Sequence, residues 1–243
     1  MIQRLSLLSA LVLVASAAHA ADQPRFTVSA YGVFAATSTD YEATRTFDAF
    51  AEEGSITTDY EGGTGPGGEI GFTWRFAKNF GVSLAGTFVT RDATATYTAN
   101  VPHPLYLSRN RTAEGTLDVE YQETAGHLDF AYIGSSGSLD FSVFAGPSFV
   151  NLSADLLIDP LYSQEFPFDT ITVTNVPAVQ LEDSGIGFNA GASIAYRFSE
   201  SFGFGVQGRF TKASMELLPG AAAADVAVDA GGLQLGAGFR FSF

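Results

Sequence analysis

The residues Gly231 to Phe243, GGLQLGAGFRFSF, constrain the fold more than any other stretch. Leu233, Leu235, Ala237, Phe239, Phe241 and Phe243 share one parity, while Gln234, Gly236, Gly238, Arg240 and Ser242 share the other. Successive side chains of a strand point to opposite faces, so this alternation predicts one strand between two different environments. One environment takes large apolar groups. The other takes small and polar ones.

The same alternation recurs along the chain. It predicts strands over Phe26–Thr37, Gly68–Phe76, Gly81–Tyr97, Thr116–Ile133, Leu139–Ser153, Ser184–Phe198, Phe202–Met215 and Gly231–Phe243. None of these stretches has a helical period. Ala77–Phe80, Gly134–Ser138 and Ser199–Ser201 read as tight turns. Ser38–Gly67, Arg91–Gly115, Asp155–Asp183 and Glu216–Ala230 read as long loops. Within these loops, Ile171–Val173 reads as an extension of the fifth and sixth strands that a partner strand could pair with.

Two irregularities are expected. In the fourth stretch Leu117, Val119 and Tyr121 have one parity, and Leu128, Phe130 and Tyr132 the other. A β-bulge between Gln122 and Gly126 would restore the faces, because one extra residue shifts the phase. Pro147 cannot donate to a ladder, and a second bulge is expected there.

The amino terminus reads as a secretory leader over 1–20. Arg4 is its basic start, Leu5–Val14 its apolar centre, and Ala18-His19-Ala20 a small-x-small cleavage site. The mature domain is then expected over 21–243. Charged residues are only 16% of the chain, well below the roughly 25% of ordinary soluble domains. With 12 Lys and Arg against 26 Asp and Glu, the balance argues against nucleic acid, which needs basic surface. There is no cysteine, hence no disulfide framework.

Terminal aromatic alternation, short turns opposite long loops, and a leader together resemble the small outer-membrane β-barrels of the OmpA/OmpX type. The resemblance implies an all-β, eight-stranded, antiparallel, up-and-down transmembrane barrel. It also implies that Leu235, Phe239, Phe241 and Phe243 form a C-terminal assembly signal. Implied partners are outer-membrane lipids and lipopolysaccharide, periplasmic chaperones and the barrel-assembly machinery; the implied location is the bacterial outer membrane. The competing eight-stranded barrel is a soluble lipocalin, with the apolar face turned inward.

Phe72–Gly86 (FTWRFAKNFGVSLAG) and Ile194–Gly208 (IAYRFSESFGFGVQG) repeat one hairpin. Each places an arginine, Arg75 or Arg197, beside an aromatic at a turn, and Arg240 repeats the arrangement. Trp74, Phe76, Phe80, Tyr132, Tyr196, Phe198, Phe202, Phe241 and Phe243 are expected to form an aromatic girdle at that end.

On the inward parity lie Glu69, Arg75, Arg91, His127, Asp129, Asp140, Gln207, Arg209 and Arg240, with Arg197 beside a turn. Glu69, Arg75, Asp129, Asp140, Arg197, Arg209 and Arg240 are expected to form an ion-pair network that plugs the lumen, since charges withdrawn from water need partners and eight strands leave room only for side chains. The expected role is structural or surface-presenting. The alternatives are a narrow porin with a charged constriction, or an outer-membrane lipid-modifying enzyme. No His-x-Ser pair supports the enzyme, and the sequence suggests no cofactor. His103 and His127 are too scattered for a metal site, whereas the acidic loops could hold a divalent cation.

Deleting Phe243, or replacing Phe239 and Phe241 by Asp, is expected to block membrane insertion. A charge on the lipid face costs about 2–4 kcal/mol at midplane and less near the interface, so loss of the recognition signal supplies most of the effect. Normal outer-membrane levels of both variants, measured by fractionation, would contradict it.

Overall fold

The computed structural model describes residues 24–217 and 226–243. The expected leader over 1–20 lies outside these residues, as do 218–225 of the last loop.

The described residues form twelve strands: β1 (Phe26–Ala35), β2 (Thr39–Ala49), β3 (Glu52–Gly62), β4 (Gly65–Ala77), β5 (Phe80–Pro102), β6 (Asn110–Ser136), β7 (Leu139–Leu157), β8 (Leu161–Ser163), β9 (Thr172–Asn175), β10 (Ala178–Arg197), β11 (Phe202–Leu217) and β12 (Val226–Ser242). Eight of them pair antiparallel in a ring, β1–β4–β5–β6–β7–β10–β11–β12 and back to β1. The two repeated hairpins, β4–β5 and β10–β11, stand on opposite sides of this ring.

Near the three short turns the outward residues are apolar and open. Ile70, Leu84, Phe130, Val143, Ile194 and Phe239 are all more than half exposed. On β5 the outward apolar run extends from Phe80 to Phe88 and gives way to Thr90 and Asp92. Nine residues at about 3.3 Å rise and about 40° tilt span roughly 23 Å, close to the roughly 25 Å apolar band of membrane barrels. Aromatic rings gather at the turn end of this band: Phe80 packs on Phe130 and Tyr132, Phe202 on Phe241, and Phe26 on Phe243.

Beyond the band the strands continue, and the chemistry of their two faces reverses. On β6 the odd residues point inward for the whole length, from Arg111 through Tyr121 and His127 to Ile133. The even residues point outward, apolar as Leu128, Phe130 and Tyr132, then polar as Thr116, Asp118, Glu120 and Gln122. The β5–β6 register runs without a break from Phe80↔Tyr132 to Pro102↔Asn110. The bulge expected between Gln122 and Gly126 is therefore absent. The hydrophobic parity changes because the surroundings change from hydrocarbon to water, and the backbone phase does not.

Pro147 likewise produces no shift. The β6–β7 register is the same on both sides of it, and the ladder omits only the pairs opposite Gly146 and Pro147. Gly146 fits here because an added Cβ would lie 1.9 Å from the Leu128 carbonyl oxygen.

Most of the expected loops are strand. Ser38–Gly67 forms the β2–β3 hairpin, with β3 paired to the outer part of β5. β2 lies against β12 without a hydrogen-bonded ladder to it. Ile171–Val173 does not extend the barrel; β9 pairs with β8 inside its own loop. The inside of this outer section is apolar: Ile56, Tyr97, Leu152, Leu156, Met215 and Val228 belong to one buried cluster. Tyr41 and Tyr60 stack at 4.6 Å, and burial pushes both phenols above their ordinary value.

The outer loops are tied together as well. Arg111, buried, donates to the Pro102 and Phe168 carbonyls and to Gln164, while Arg109 pairs with Asp169 at 2.9 Å.

Leu152→Ala is expected to cost about 2–5 kcal/mol, as for other buried leucines, whereas the outward Thr96→Ala should stay within about 0.5 kcal/mol. Urea unfolding in lipid vesicles measures both. Equal effects would mean that the outer section is not packed on its interior.

Candidate functional site

Side chains from β4, β5, β6, β7, β10 and β11 meet inside the membrane-level ring. They must point inward, since their parity partners face the apolar band. Arg209 on β11 is the centre. Its Nε donates to Glu69 Oε2 on β4 at 3.2 Å, and its Nη1 donates to Asp129 Oδ2 on β6 at 3.0 Å and to Asn189 Oδ1 on β10. The guanidinium lies over the Phe144 ring at 4.6 Å. Arg209, Glu69, Asp129 and Asn189 are all buried.

Asn189 continues the chain of contacts. Its amide donates to Asp129 at 2.7 Å, to Ser148 Oγ at 3.0 Å and to the Gly146 carbonyl at 3.2 Å. Ser148 Oγ lies 2.8 Å from His127 Nδ1, and Thr87 Oγ1 lies 3.1 Å from His127 Nε2. One connected network thus runs round the wall from Thr87 on β5 to Arg209 on β11 and crosses the lumen from there to Glu69, the register partner of Thr87. Hydrogen bonds to charged groups contribute about 1.5–3 kcal/mol each, and removing one member exposes the others to the full cost of burial.

A second layer sits above, where the apolar band ends. Arg91 on β5 and Glu123 on β6 are 3.6 Å apart and almost wholly buried. Arg91 also donates to the Thr37 carbonyl at 2.8 Å, to Thr39 Oγ1 at 3.2 Å and to the Gly231 carbonyl at 2.6 Å. The Gly231 N–H donates to Glu123 at 3.0 Å. Gly231 has φ +111°, a conformation that glycine adopts freely. This lets its backbone serve the two charges. Arg91 therefore holds the bend where β1 hands over to β2 against the bend in β12.

The third layer is at the turn end. Arg197 Nε approaches Asp140 Oδ2 at 3.1 Å, a charge contact, and Arg197 Nη2 donates to the Gly137 carbonyl. Arg75 and Arg240 share this level, and Arg75 lies within electrostatic reach of Asp140, Arg197 and Arg240.

The seven residues expected in one network thus fall into two groups. Glu69, Asp129 and Arg209 form the central layer; Arg75, Asp140, Arg197 and Arg240 lie nearer the turns. Asn189, Ser148, Thr87 and Glu123 complete the layers and were not picked out from sequence. Glu123 has the parity of His127 and Asp129, and the expected bulge hid it by breaking that parity between them. Leu235, Phe239 and Phe241 face outward in the apolar band, with the Phe243 ring tilted against Phe26 and Phe241 beside its lower edge.

No group of three or more His, Cys, Asp or Glu that could hold a metal occurs among the described residues. Between the central and lower layers is a polar cavity of about 40 Å³ lined by Glu69, Asp129, Arg209, Arg240, Gln207 and several serines.

No protein-family model matches the chain, and no curated protein matches it. Among solved structures the chain is similar to the outer membrane protein OprG from Pseudomonas aeruginosa, with TM-score 0.53 and 11% identity over 91% of this chain and 96% of that one. It also aligns with Neisserial surface protein A, with TM-score 0.47 and 11% identity over 90% and 97% of the two chains. The outer membrane protease OmpT from Escherichia coli gives TM-score 0.43 and 8% identity over 93% and 99%. The ring of eight strands, its exposed apolar band and the OprG match define the fold as that of a small outer-membrane β-barrel.

Arg209→Ala leaves Glu69 and Asp129 buried without their cation and is expected to destabilise the barrel by about 3–5 kcal/mol. Adding Glu69→Gln and Asp129→Asn to that variant should restore much of the loss. A single variant as stable as wild type in urea titration would show that the central layer is not held by charge.

Proposed function

We propose that this protein spans the bacterial outer membrane as a closed barrel and serves the envelope, or displays its outer section for surface interaction, without conducting solutes and without catalysing a reaction. The observation that carries this reading is the stacking of two buried charged layers, Arg209 with Glu69 and Asp129, then Arg91 with Glu123, beneath an apolar outer core. A porin needs a continuous wet path, and an aqueous path through Leu152, Met215 and Val228 would have to break apolar packing. Against catalysis, the buried lumen carboxylates are engaged by guanidinia, so none is poised as a general acid or base. Lipids and lipopolysaccharide against the apolar band, and the periplasmic chaperones and assembly machinery during insertion, are the partners this reading requires.

Purified protein in a planar bilayer is expected to show no steady conductance. Replacing Arg75, Arg197 and Arg240 together by Ala should leave it closed, because the two upper layers and the apolar core remain. Large, steady channels from the wild type would reject the plugged barrel and favour the porin.

A further inference from the structure

We propose that the outer tip of the barrel is a docking surface for a cationic, amphipathic segment of another protein, one that carries Lys or Arg beside apolar anchors. The inference rests on the reading of the outer section as displayed for surface interaction, and it names the chemistry of the partner.

Large apolar side chains stand open at the tip. Leu107 is 82% exposed and Phe166 80%, and Leu105, Tyr106 and Phe50 are exposed as well. They come from three connections, between β2 and β3, β5 and β6, and β8 and β9. Contacts between the connections hold them as one surface. The Ser108 N–H donates to Glu52 Oε1 at 2.8 Å, and Arg109 lies over the Tyr106 ring and pairs with Asp169. Arg111, buried, lies over the Phe50 ring and donates to the Phe168 carbonyl, and Phe168 meets Phe166 edge-on at 5.9 Å. Among the described residues the non-glycine residues with positive φ are Phe50, Ala51, Ser108 and Phe168, and all four lie in these connections. Such conformations persist where the surroundings fix them, and they gather at functional sites.

Lipid does not cover this surface. From Thr90 to Pro102, β5 climbs roughly 30 Å beyond the apolar band, at about 3.3 Å per residue and about 40° tilt. The apolar side chains at the tip therefore face water, where an apolar patch with a polar rim marks a site of protein interaction.

Charge selects the partner. Residues 40–61 carry seven acids and Arg45, and residues 155–183 carry six acids with no Lys or Arg. Asp48, Glu53, Glu165 and Asp169 are exposed in the same connections as the apolar residues. The two arginines of the tip are engaged, Arg109 by Asp169 and Arg111 by backbone carbonyls and Gln164. An anionic partner, or a second copy of this acidic tip, would be repelled. A basic segment gains on approach and seats its apolar anchors among Leu105, Leu107 and Phe166.

The test uses the full barrel in nanodiscs of zwitterionic lipid, with empty nanodiscs removing sequences that bind lipid. A random-peptide phage library panned on it should return peptides enriched together in Lys or Arg and in Leu, Phe or Trp. A synthetic peptide of the recovered sequence should bind at least about tenfold more weakly to the variant carrying Leu105→Ser, Leu107→Ser and Phe166→Ser. It should also weaken on the variant carrying Glu53→Lys and Glu165→Lys, and at high salt. All five side chains are exposed, so both variants should unfold in urea as the wild type does. No enrichment, acidic or uncharged peptides from the panning, or equal affinity for wild type and both variants would overturn the proposal. The chain has no cysteine, so Leu107→Cys with a membrane-impermeant maleimide on intact cells tests the display reading separately. Labelling is expected. Labelling without peptide binding would overturn the docking surface alone, and absence of labelling would overturn the display reading and the docking surface with it.

Discussion

A strand that leaves hydrocarbon and enters water without breaking must reverse the chemistry of its two faces, and this architecture depends on that constraint. Within the band the outward residues meet lipid and are apolar, so the lumen receives the polar and charged groups. Above the band the outward residues meet water and are threonine and acid, so the interior can be apolar. The period of two never changes. The same strand therefore obeys the rule of a membrane barrel in one half and the rule of a soluble barrel in the other.

The charged layers follow from this. At membrane level no outward position can hold a charge cheaply, so Glu69, Asp129 and Arg209 face one another inside. Arg91 and Glu123 stand where the environments change. There β1 yields to β2, Gly63 and Thr64 separate β3 from β4, and Gly231 turns its backbone inward. Arg91 joins the β1–β2 bend to Gly231 by three donated hydrogen bonds, which makes it a link between the ring in the membrane and the extension above it.

Much of the ring was legible in the sequence. Strict alternation in Phe202–Met215 and Gly231–Phe243 located strands with the correct inward sets, because one outer environment covers most of their length. The hairpin repeat around Arg75 and Arg197 placed two equivalent turns at one end. The outer section was not legible, because acidic, threonine-rich segments such as Thr39–Gly62 resemble solvated loops when composition is read before parity. Leu117, Val119 and Tyr121 then suggested a bulge, although their parity agrees with that of His127 and Asp129. Asn189 escaped notice because an amide among glycines and alanines carries no charge signal. Its importance comes from β6, β7 and β11 converging on it, which only the pairing of strands reveals.

The most direct measurement is a spin-label scan along β6 from Asn110 to Ser136, with oxygen and a water-soluble nickel chelate as relaxation agents. The account predicts one unbroken two-residue period. Odd positions should be shielded from Arg111 to Ile133, and even positions should be oxygen-accessible from Gly126 to Tyr132 and chelate-accessible from Thr112 to Gln122. A phase shift between Gln122 and Gly126, with the labels at Leu117, Val119 and Tyr121 facing outward, would contradict it.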